Sequence, residues 1–342
     1  RVYWEIKSPS CPRPITQKWI GRLVLKYRLL GNTGLKVSEI GLGTWSFASR
    51  AYGTVDLTDA SAVVQTALDG GVNVFDTAPL YGSPDEDGIS ERILGEVLGS
   101  RREDVLVSTK FGRASSLRGT AFTGDGVRAS VEASLKRLST DRIDILFFHS
   151  PFGPDEIDDD VWEGLADLKT SGKVRCVGHS ISKFSDTQSM ARSWFDERKI
   201  DLVQVVYSLM NRESTELIED IGSLRAGVFA RESLANGFLS GVITAETVFP
   251  DNNLNKRYGV EELGERVAYV EALRFLVRGE VETMPQAAFR WVLENTNVSL
   301  VLSGARNVGE LEDVLRVSEL GSFSDGEMEK AKELHSRDFE AA

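Results

Sequence analysis

Residues 125–149, "DGVRASVEASLKRLSTDRIDILFFH", decide the fold. In the first half, Val127, Val131, Leu135 and Leu138 recur at spacings of four and three, which makes one face of a helix. Arg128, Glu132 and Lys136 fall on another face, and Asp125 is placed to cap the N-terminus. The second half, 143–149, is a short apolar run that closes on a histidine, and it reads as a buried strand. Working outward, the same alternation recurs. Strands are predicted at 39–43, 73–77, 105–110, 143–149, 174–180, 202–208, 227–232 and 299–304. Helices are predicted at 59–70, 89–99, 125–138, 160–171, 184–195, 214–223, 284–295 and 308–317.

Eight short buried strands, each followed by a helix, predict an α/β fold, the (β/α)8 TIM barrel. A doubly wound sheet competes, but it would carry GxGxxG after its first strand. Here that turn reads "GLGTWSF", residues 41–47, which lacks the third glycine and opens into no helix. Ahead of the barrel, "YRLLGNTGLKVSEI", residues 27–40, places a turn at Asn32–Gly34 between two apolar stretches and predicts an N-terminal β-hairpin. After the seventh strand, 235–258 is an irregular stretch longer than an ordinary loop, expected to be either a functional lid or a disordered segment on the active face.

The chain has 342 residues, a formal charge of -12 and 41% hydrophobic residues. Its acidity speaks against nucleic acid as a partner. No apolar run reaches the roughly 18–20 residues that span a bilayer, so no membrane partner is expected. Cys11 and Cys176 form no metal-binding or disulfide spacing, which fits a cytoplasmic protein without a metal. Residues 1–26 differ, with a local charge of +5 that leaves -17 on the rest. They lack an initiator methionine and a long apolar core, so they read as an extension of uncertain status rather than a signal peptide, and 27–342 as one barrel domain.

A barrel puts its chemistry at the C-terminal ends of its strands. Strand two ends at Asp76, strand three at Lys110 and strand four at His149. Val74 and Asp76 share a face, as do Leu106, Ser108 and Lys110, so three ionisable groups reach one rim. Tyr81 follows five residues after Asp76, with Gly82 easing the turn that aims it. Taken singly, these are a turn cap, a solvated lysine, a core histidine and a packed aromatic; their convergence on one rim favours a site. A phenol has a pKa of about 10, and a nearby ammonium lowers it by roughly 1–3 units. A buried ammonium needs a carboxylate, here Asp76. His149 could hold a carbonyl oxygen beside the phenol. Proton donation to oxygen with neither nucleophile nor metal suits carbonyl reduction, with hydride from a cofactor. On strand five, phase sends Cys176, Gly178 and Ser180 to one face and His179 to the other, toward the helices, as a neutral buried histidine.

From Tyr27 onward the chain resembles the aldo-keto reductases, in their bacterial-type and potassium-channel β-subunit-like branch. The stretches that carry this are "YRLLGNTGLKVSEIGLGTW", "FDTAPLYG" with "SERILGEVLG", "STKFG", "SVEASLKRLSTDRIDILFFHSP", "GKVRCVGHS", "VQVVYSLMNR", "SLANGFLSG" and "QAAFRWVLENTNVSLVLSGAR". The resemblance implies a catalytic tetrad of Asp76, Tyr81, Lys110 and His149. Tyr81 would be the proton donor, Lys110 would lower its pKa, Asp76 would hold Lys110, and His149 would orient the carbonyl. It implies NADP(H) as the favoured cofactor, with NAD(H) possible. Thr44, Trp45, Ser180, Gln204, Arg231, Leu234, Gly237, Gly241, Gly304, Arg306 and Glu310 match its cofactor contacts, Trp45 also as a wall of the substrate pocket. The chain departs from the family at Ile181, Ser233, Val242, Glu310 and Val314. Glu310 opposes a 2′-phosphate unless Arg306 intervenes.

Three readings follow. The first is an NAD(P)H-dependent enzyme reducing a small-molecule aldehyde or ketone. The second is a weakly catalytic or non-catalytic cofactor-sensing protein of the same fold. The third is a specialised sugar-pathway reductase in which the acidic stretch 150–160 favours cationic or polyhydroxylated substrates.

Overall fold

The computed structural model describes residues 24–47, 56–117, 120–182, 184–251 and 253–336; Cys11 and nearly all of the basic segment lie outside them. Ten strands occur among the described residues. β1 (Tyr27–Leu29) and β2 (Lys36–Ser38) pair antiparallel as the hairpin expected at the N-terminus. The other eight are β3 (Ile40–Gly43), β4 (Val74–Asp76), β5 (Leu106–Phe111), β6 (Ile143–His149), β7 (Val174–Ser180), β8 (Leu202–Val206), β9 (Gly227–Arg231) and β10 (Leu300–Ser303). They pair in sequence and β10 returns to β3, closing a barrel. All eight predicted strands are present, with ends shifted by a residue or two.

The helices are α1 (Leu57–Asp69), α2 (Ile89–Leu98), α3 (Gly124–Arg137), α4 (Val161–Thr170), α5 (Phe184–Asp196), α6 (Thr215–Ser223), α7 (Val260–Ala272), α8 (Met284–Glu294), α9 (Val308–Leu315) and α10 (Asp325–His335). Sequence periodicity had marked all but α7 and α10. α7 buries Leu263, Tyr269 and Val270, and α10 buries only Ala331, so the apolar stripe is faint in α10. In α3 the cap also differs from expectation. Thr123, two residues before Asp125, accepts the Gly126 N–H, and Asp125 sits in the first turn, where its charge suits the helix dipole.

Period-two alternation sorts the strand residues into two cores. Val74, Ile145, Phe147, Cys176, Leu202, Phe229 and Leu300 point into the barrel. The hairpin's Leu30, Leu35 and Val37 pack against them, so β1 and β2 plug the end remote from the strand C-termini. Phe75, Val107, Leu146, Phe148 and Val177 point outward to the helices. The long stretch after β9 is partly ordered by two short 3-10 turns, Ala235–Ser240 and Leu254–Arg257. Buried Asn255 donates to the Asn236 carbonyl at 2.8 Å and clasps the two turns together.

One buried cluster on the helix side fixes the strand that carries Lys110. Thr109 donates to Glu91 of α2 at 2.6 Å, and Arg137 of α3 donates to the other oxygen of the same carboxylate at 2.6 Å. Glu91 is fully buried, and Arg137 is its ion-pair partner. Arg137→Met should therefore lower stability by about 3 kcal/mol. Urea unfolding of that variant against the Glu91→Gln/Arg137→Met double variant checks it, with the double variant expected to recover most of the loss.

Candidate active site

The strand ends meet as the alternation requires. Asp76 lies in register with Ser108, and His149 with Ser180. The Lys110 ammonium donates to Asp76 Oδ1 at 2.7 Å and to the Thr77 carbonyl at 2.9 Å. Both side chains of this pair are almost wholly buried. The second carboxylate oxygen accepts from Ser108 Oγ at 2.8 Å and from Gln204 Nε2 at 3.0 Å. Ser180 Oγ in turn donates to Gln204 Oε1 at 3.2 Å. A chain of polar groups thus runs across the mouth from Ser180 through Gln204 and Asp76 to Lys110. Burial alone pulls the Lys110 pKa down, but Asp76 and then Tyr81 outweigh it, and the net direction is up. Lys110 is a held cation.

Tyr81 stands over this pair, its ring centroid 4.8 Å from Lys110 Nζ. The His149 ring meets it edge-on, with centroids 6.0 Å apart and planes at 84°. The loop that carries Tyr81 is turned by bonds from Tyr81 N to the Ala78 carbonyl and from Ser90 N to the Tyr81 carbonyl, both 3.0 Å. Gly82 is needed there for closeness rather than for an unusual φ: a Cβ would fall 2.0 Å from the Glu86 carbonyl oxygen. The phenol pKa moves opposite to expectation. Burial raises it most, Lys110 pulls it down, Asp76 raises it further, and the net direction is up. The ammonium moderates the cost of forming a phenolate without reversing it, and the hydroxyl stays protonated at neutral pH.

His149 is neutral, its pKa held well below the ordinary imidazole value by burial and then by the charges of Lys110, Arg231 and Arg113. Its Nδ1 is buried and has no hydrogen-bond partner among the described residues. Arg113 holds the backbone here, donating to the His149 carbonyl at 2.8 Å and to Glu156 at 3.1 Å. Glu156 is thereby neutralised within the acidic 150–160 stretch, and Asp160 accepts the Gly124 N–H at the start of α3, leaving Asp155, Asp158 and Asp159 outside and exposed.

The residues matched to cofactor contacts divide. Ser180 ends β7 and Arg231 ends β9, while Gln204 lies mid-strand in β8, within hydrogen-bond reach of Ser180. Arg231 donates Nη2 to the Ile181 carbonyl at 2.8 Å and pairs with Glu232. Leu234, Gly237 and Gly241 lie in the turn after β9, where Ala235, Asn236, Gly237 and Gly241 all hold positive φ. Thr44 is buried, with Oγ1 donating to the Asp76 carbonyl at 3.1 Å and its own carbonyl accepting from Ser90, so it braces the rim. Trp45 opens the short turn after β3 and is half-buried. Gly304 and Arg306 follow β10 and are exposed. The Glu310 carboxylate folds back on its own helix, accepting from Arg306 N at 2.8 Å and Asn307 Nδ2 at 2.9 Å. Val314 faces the helix-side core and presents nothing to the mouth. Buried Ser233 donates its Oγ to the Tyr207 carbonyl at 3.1 Å.

Sequence reasoning missed Ser108 as a partner of Asp76, although its phase with Lys110 was visible. It also missed Gln204 as a brace for that carboxylate, since a contact between β4 and β8 leaves no local signal. Among the described residues no cluster of histidine, cysteine, aspartate or glutamate could hold a metal ion, and no helix is long and apolar enough to cross a membrane.

The Aldo/keto reductase family profile matches residues 39–336. The chain belongs to the aldo/keto reductase family. Among relatives of this reductase-family chain, Aldo-keto reductase YhdN of Bacillus subtilis (strain 168) is 29% identical over 310 residues, covering 86% of this chain and 89% of its own. The NADH-specific methylglyoxal reductase of Escherichia coli (strain K12) is 30% identical over 299 residues, covering 81% and 88%. The solved holo form of aldo-keto reductase AKR11C1 from Bacillus halodurans superposes with a TM-score of 0.73 at 24% identity, covering 91% and 96%, a likeness of fold. Family membership supports a general oxidoreductase function.

His179 lies outside the barrel, as its phase predicts, against Trp194 with ring centroids 5.0 Å apart. Neither ring nitrogen has a partner among the described residues, and burial pushes its pKa down to about 3. The unfolded chain binds a proton here near pH 6.5, whereas the folded one does not. The stability this group contributes is therefore present above pH 6.5 and is lost as pH falls toward 3. At pH 5 the loss amounts to about 2 kcal/mol. His179→Leu should remove that share, so the drop in stability between pH 7.5 and 5, measured by urea unfolding, should shrink by about 2 kcal/mol.

Proposed function

We propose that this protein reduces an aldehyde or ketone to an alcohol, with a nicotinamide dinucleotide as hydride source and Tyr81 as proton donor. The observation that carries the reading is the buried Lys110–Asp76 pair beneath Tyr81, with neutral His149 edge-on beside it. A protonated phenol next to a held cation is an acid whose conjugate base is stabilised as it forms. The raised pKa of Tyr81 suits that direction, because the acid form is the one populated. Asp76 keeps Lys110 charged. Ser108 and Gln204 keep Asp76 oriented. His149, neutral, can donate one ring N–H to the carbonyl oxygen while Tyr81 protonates it.

The residues present fit the dinucleotide. Ser180 and Gln204 retain hydrogen-bonding capacity beyond the bonds they make to each other and to Asp76, as a carboxamide requires. The Arg231 guanidinium is planar and can lie against a nicotinamide ring. The run of positive φ in the turn carrying Leu234, Gly237 and Gly241 turns backbone N–H groups together, a concavity that suits phosphate oxygens. When bound, the reduced cofactor supplies hydride to the carbonyl carbon. Arg306 favours NADP(H), and Glu310 weighs against it. The methylglyoxal-reductase relative is NADH-specific by name, which keeps NAD(H) open.

Tyr81→Phe should lower kcat by about 10²–10⁴-fold and leave the dinucleotide Kd within about twofold. Stopped-flow or steady-state NAD(P)H oxidation with tryptophan-fluorescence titration measures both; near-normal turnover in the variant removes Tyr81 as donor. In the wild type, kcat/KM for reduction should fall only as pH passes above the ordinary phenol value of about 10, where the acid form is lost. For cofactor choice, Glu310→Gln keeps an acceptor for Arg306 N but removes the charge. It should shift the NADPH:NADH ratio of kcat/KM toward NADPH by about 5–10-fold, and no shift would clear Glu310 of any part in selection.

A further inference from the structure

The His149 ring has little of its own to fix it. Its Nδ1 is buried and has no hydrogen-bond partner among the described residues. Its edge-on meeting with Tyr81, at a centroid distance of 6.0 Å, is a weak restraint on rotation. Where the imidazole points is therefore set by the backbone that carries it.

That backbone leaves β6 by a turn that serine seldom makes. Ser150, directly after His149, has a φ of +53°, in the left-handed region. Its N–H donates to the Phe148 carbonyl at 3.0 Å, which closes the turn around His149. Such a conformation persists only where its surroundings hold it. Arg113 does the holding. Its Nε donates to the His149 carbonyl at 2.8 Å and to the Ser150 carbonyl at 3.1 Å, and its Nη2 donates to the Ser150 carbonyl at 2.8 Å. Nη2 also donates to Glu156 at 3.1 Å, and the same Glu156 oxygen accepts the Phe152 N–H at 2.9 Å. The Phe152 ring centroid lies 4.3 Å from the guanidinium carbon and that of Phe122 5.9 Å. From the β7 side, Ser182 Oγ donates to the Pro151 carbonyl at 3.0 Å.

One planar cation thus meets two consecutive carbonyls and a carboxylate, with rings at its faces. An ammonium could supply the charge but not the fork. Arg113 also stands three residues past Lys110, with Gly112 at a φ of +92° turning the chain between them. The strand exit that supplies the cation under Tyr81 therefore also clasps the backbone of the imidazole beside it. We propose that Arg113 is a positioning residue for carbonyl reduction: by clasping the His149 and Ser150 carbonyls it fixes the imidazole relative to the Tyr81 hydroxyl, so that both meet one substrate oxygen. This rests on the carbonyl-reduction reading above. Arg113 acts by charge as well, since burial and then Lys110, Arg231 and Arg113 together hold His149 neutral. Arg113→Lys keeps that charge and removes the fork, which separates geometry from charge.

The first arm of the test is steady-state reduction of p-nitrobenzaldehyde at saturating dinucleotide. kcat should fall about 10-fold in Arg113→Lys and about 100-fold in Arg113→Ala, with the dinucleotide Kd within about twofold. Guanidinium chloride at a non-denaturing concentration should restore part of the Arg113→Ala kcat, and methylammonium chloride at the same concentration should not. Near-normal kcat in both variants overturns the role, and so does a failure of guanidinium to rescue better than methylammonium. The second arm reads the ring without turnover. The chain has 3 histidines, so NMR of the imidazole-labelled full chain follows His149 beside His179 and His335. In Arg113→Lys the His149 signal should shift or broaden while the other two stay in place and report an intact fold. If all three move in Arg113→Ala, that variant has lost its fold and Arg113→Lys decides. A His149 signal unmoved in the folded variants overturns the proposal whatever the kinetics. A moved His149 signal, in a protein whose wild type reduces no aldehyde or ketone offered, upholds the clasp and overturns the carbonyl-reduction reading.

Discussion

The mouth of this barrel depends on keeping one ammonium charged where water does not reach. Lys110 and Asp76 are both buried, and desolvation of the two charges is the largest cost at the site. Coulombic attraction alone rarely offsets such a cost; complete hydrogen bonding does. Here four of the strands around the mouth, β4, β5, β7 and β8, contribute to that completion. β5 supplies Ser108, β8 supplies Gln204, and the turn after β4 supplies the Thr77 carbonyl. Ser180 of β7 then fixes the amide of Gln204. Losing any one partner leaves a buried lone pair or proton unfilled.

The outer layer serves the same end. Thr109 lies between Ser108 and Lys110 and points the other way, into the Glu91–Arg137 pair, so helices α2 and α3 hold the strand from behind. Phe111, Phe122, Phe148, Trp162 and Trp194 form an aromatic wall against the outer faces of the neighbouring strands. Arg113 ties down the backbone on which His149 sits. Rigid strand ends and a braced loop bring Tyr81 over the ammonium.

Much of this was legible in the chain. Strand phase alone brings Asp76, Lys110 and His149 to one rim and sends His179 outward, because a period of two leaves no freedom once one face is buried. The period of 3.6 made eight helices legible as well, whereas α7 and α10 were not. The α3 cap was misread because Thr123 and Asp125 are both good capping residues, and the choice falls to the backbone path out of the preceding loop. Lys110 pulls the Tyr81 pKa down, as its place beside the phenol in the motif implies, but the burial that outweighs it is not visible in a sequence.

The sequence by itself therefore determined the barrel, its plugging hairpin and the residue types at the rim, all consequences of local periodicity and turn chemistry. Only the tertiary structure decided who partners whom. Gln204 reaches Asp76 across 128 positions of chain, and Glu91 meets Arg137 across 46. Four arginines from separate segments come to line one cavity. Such contacts depend on distances fixed only when the barrel closes, and burial, which sets the sign of each pKa shift, exists only in the closed molecule.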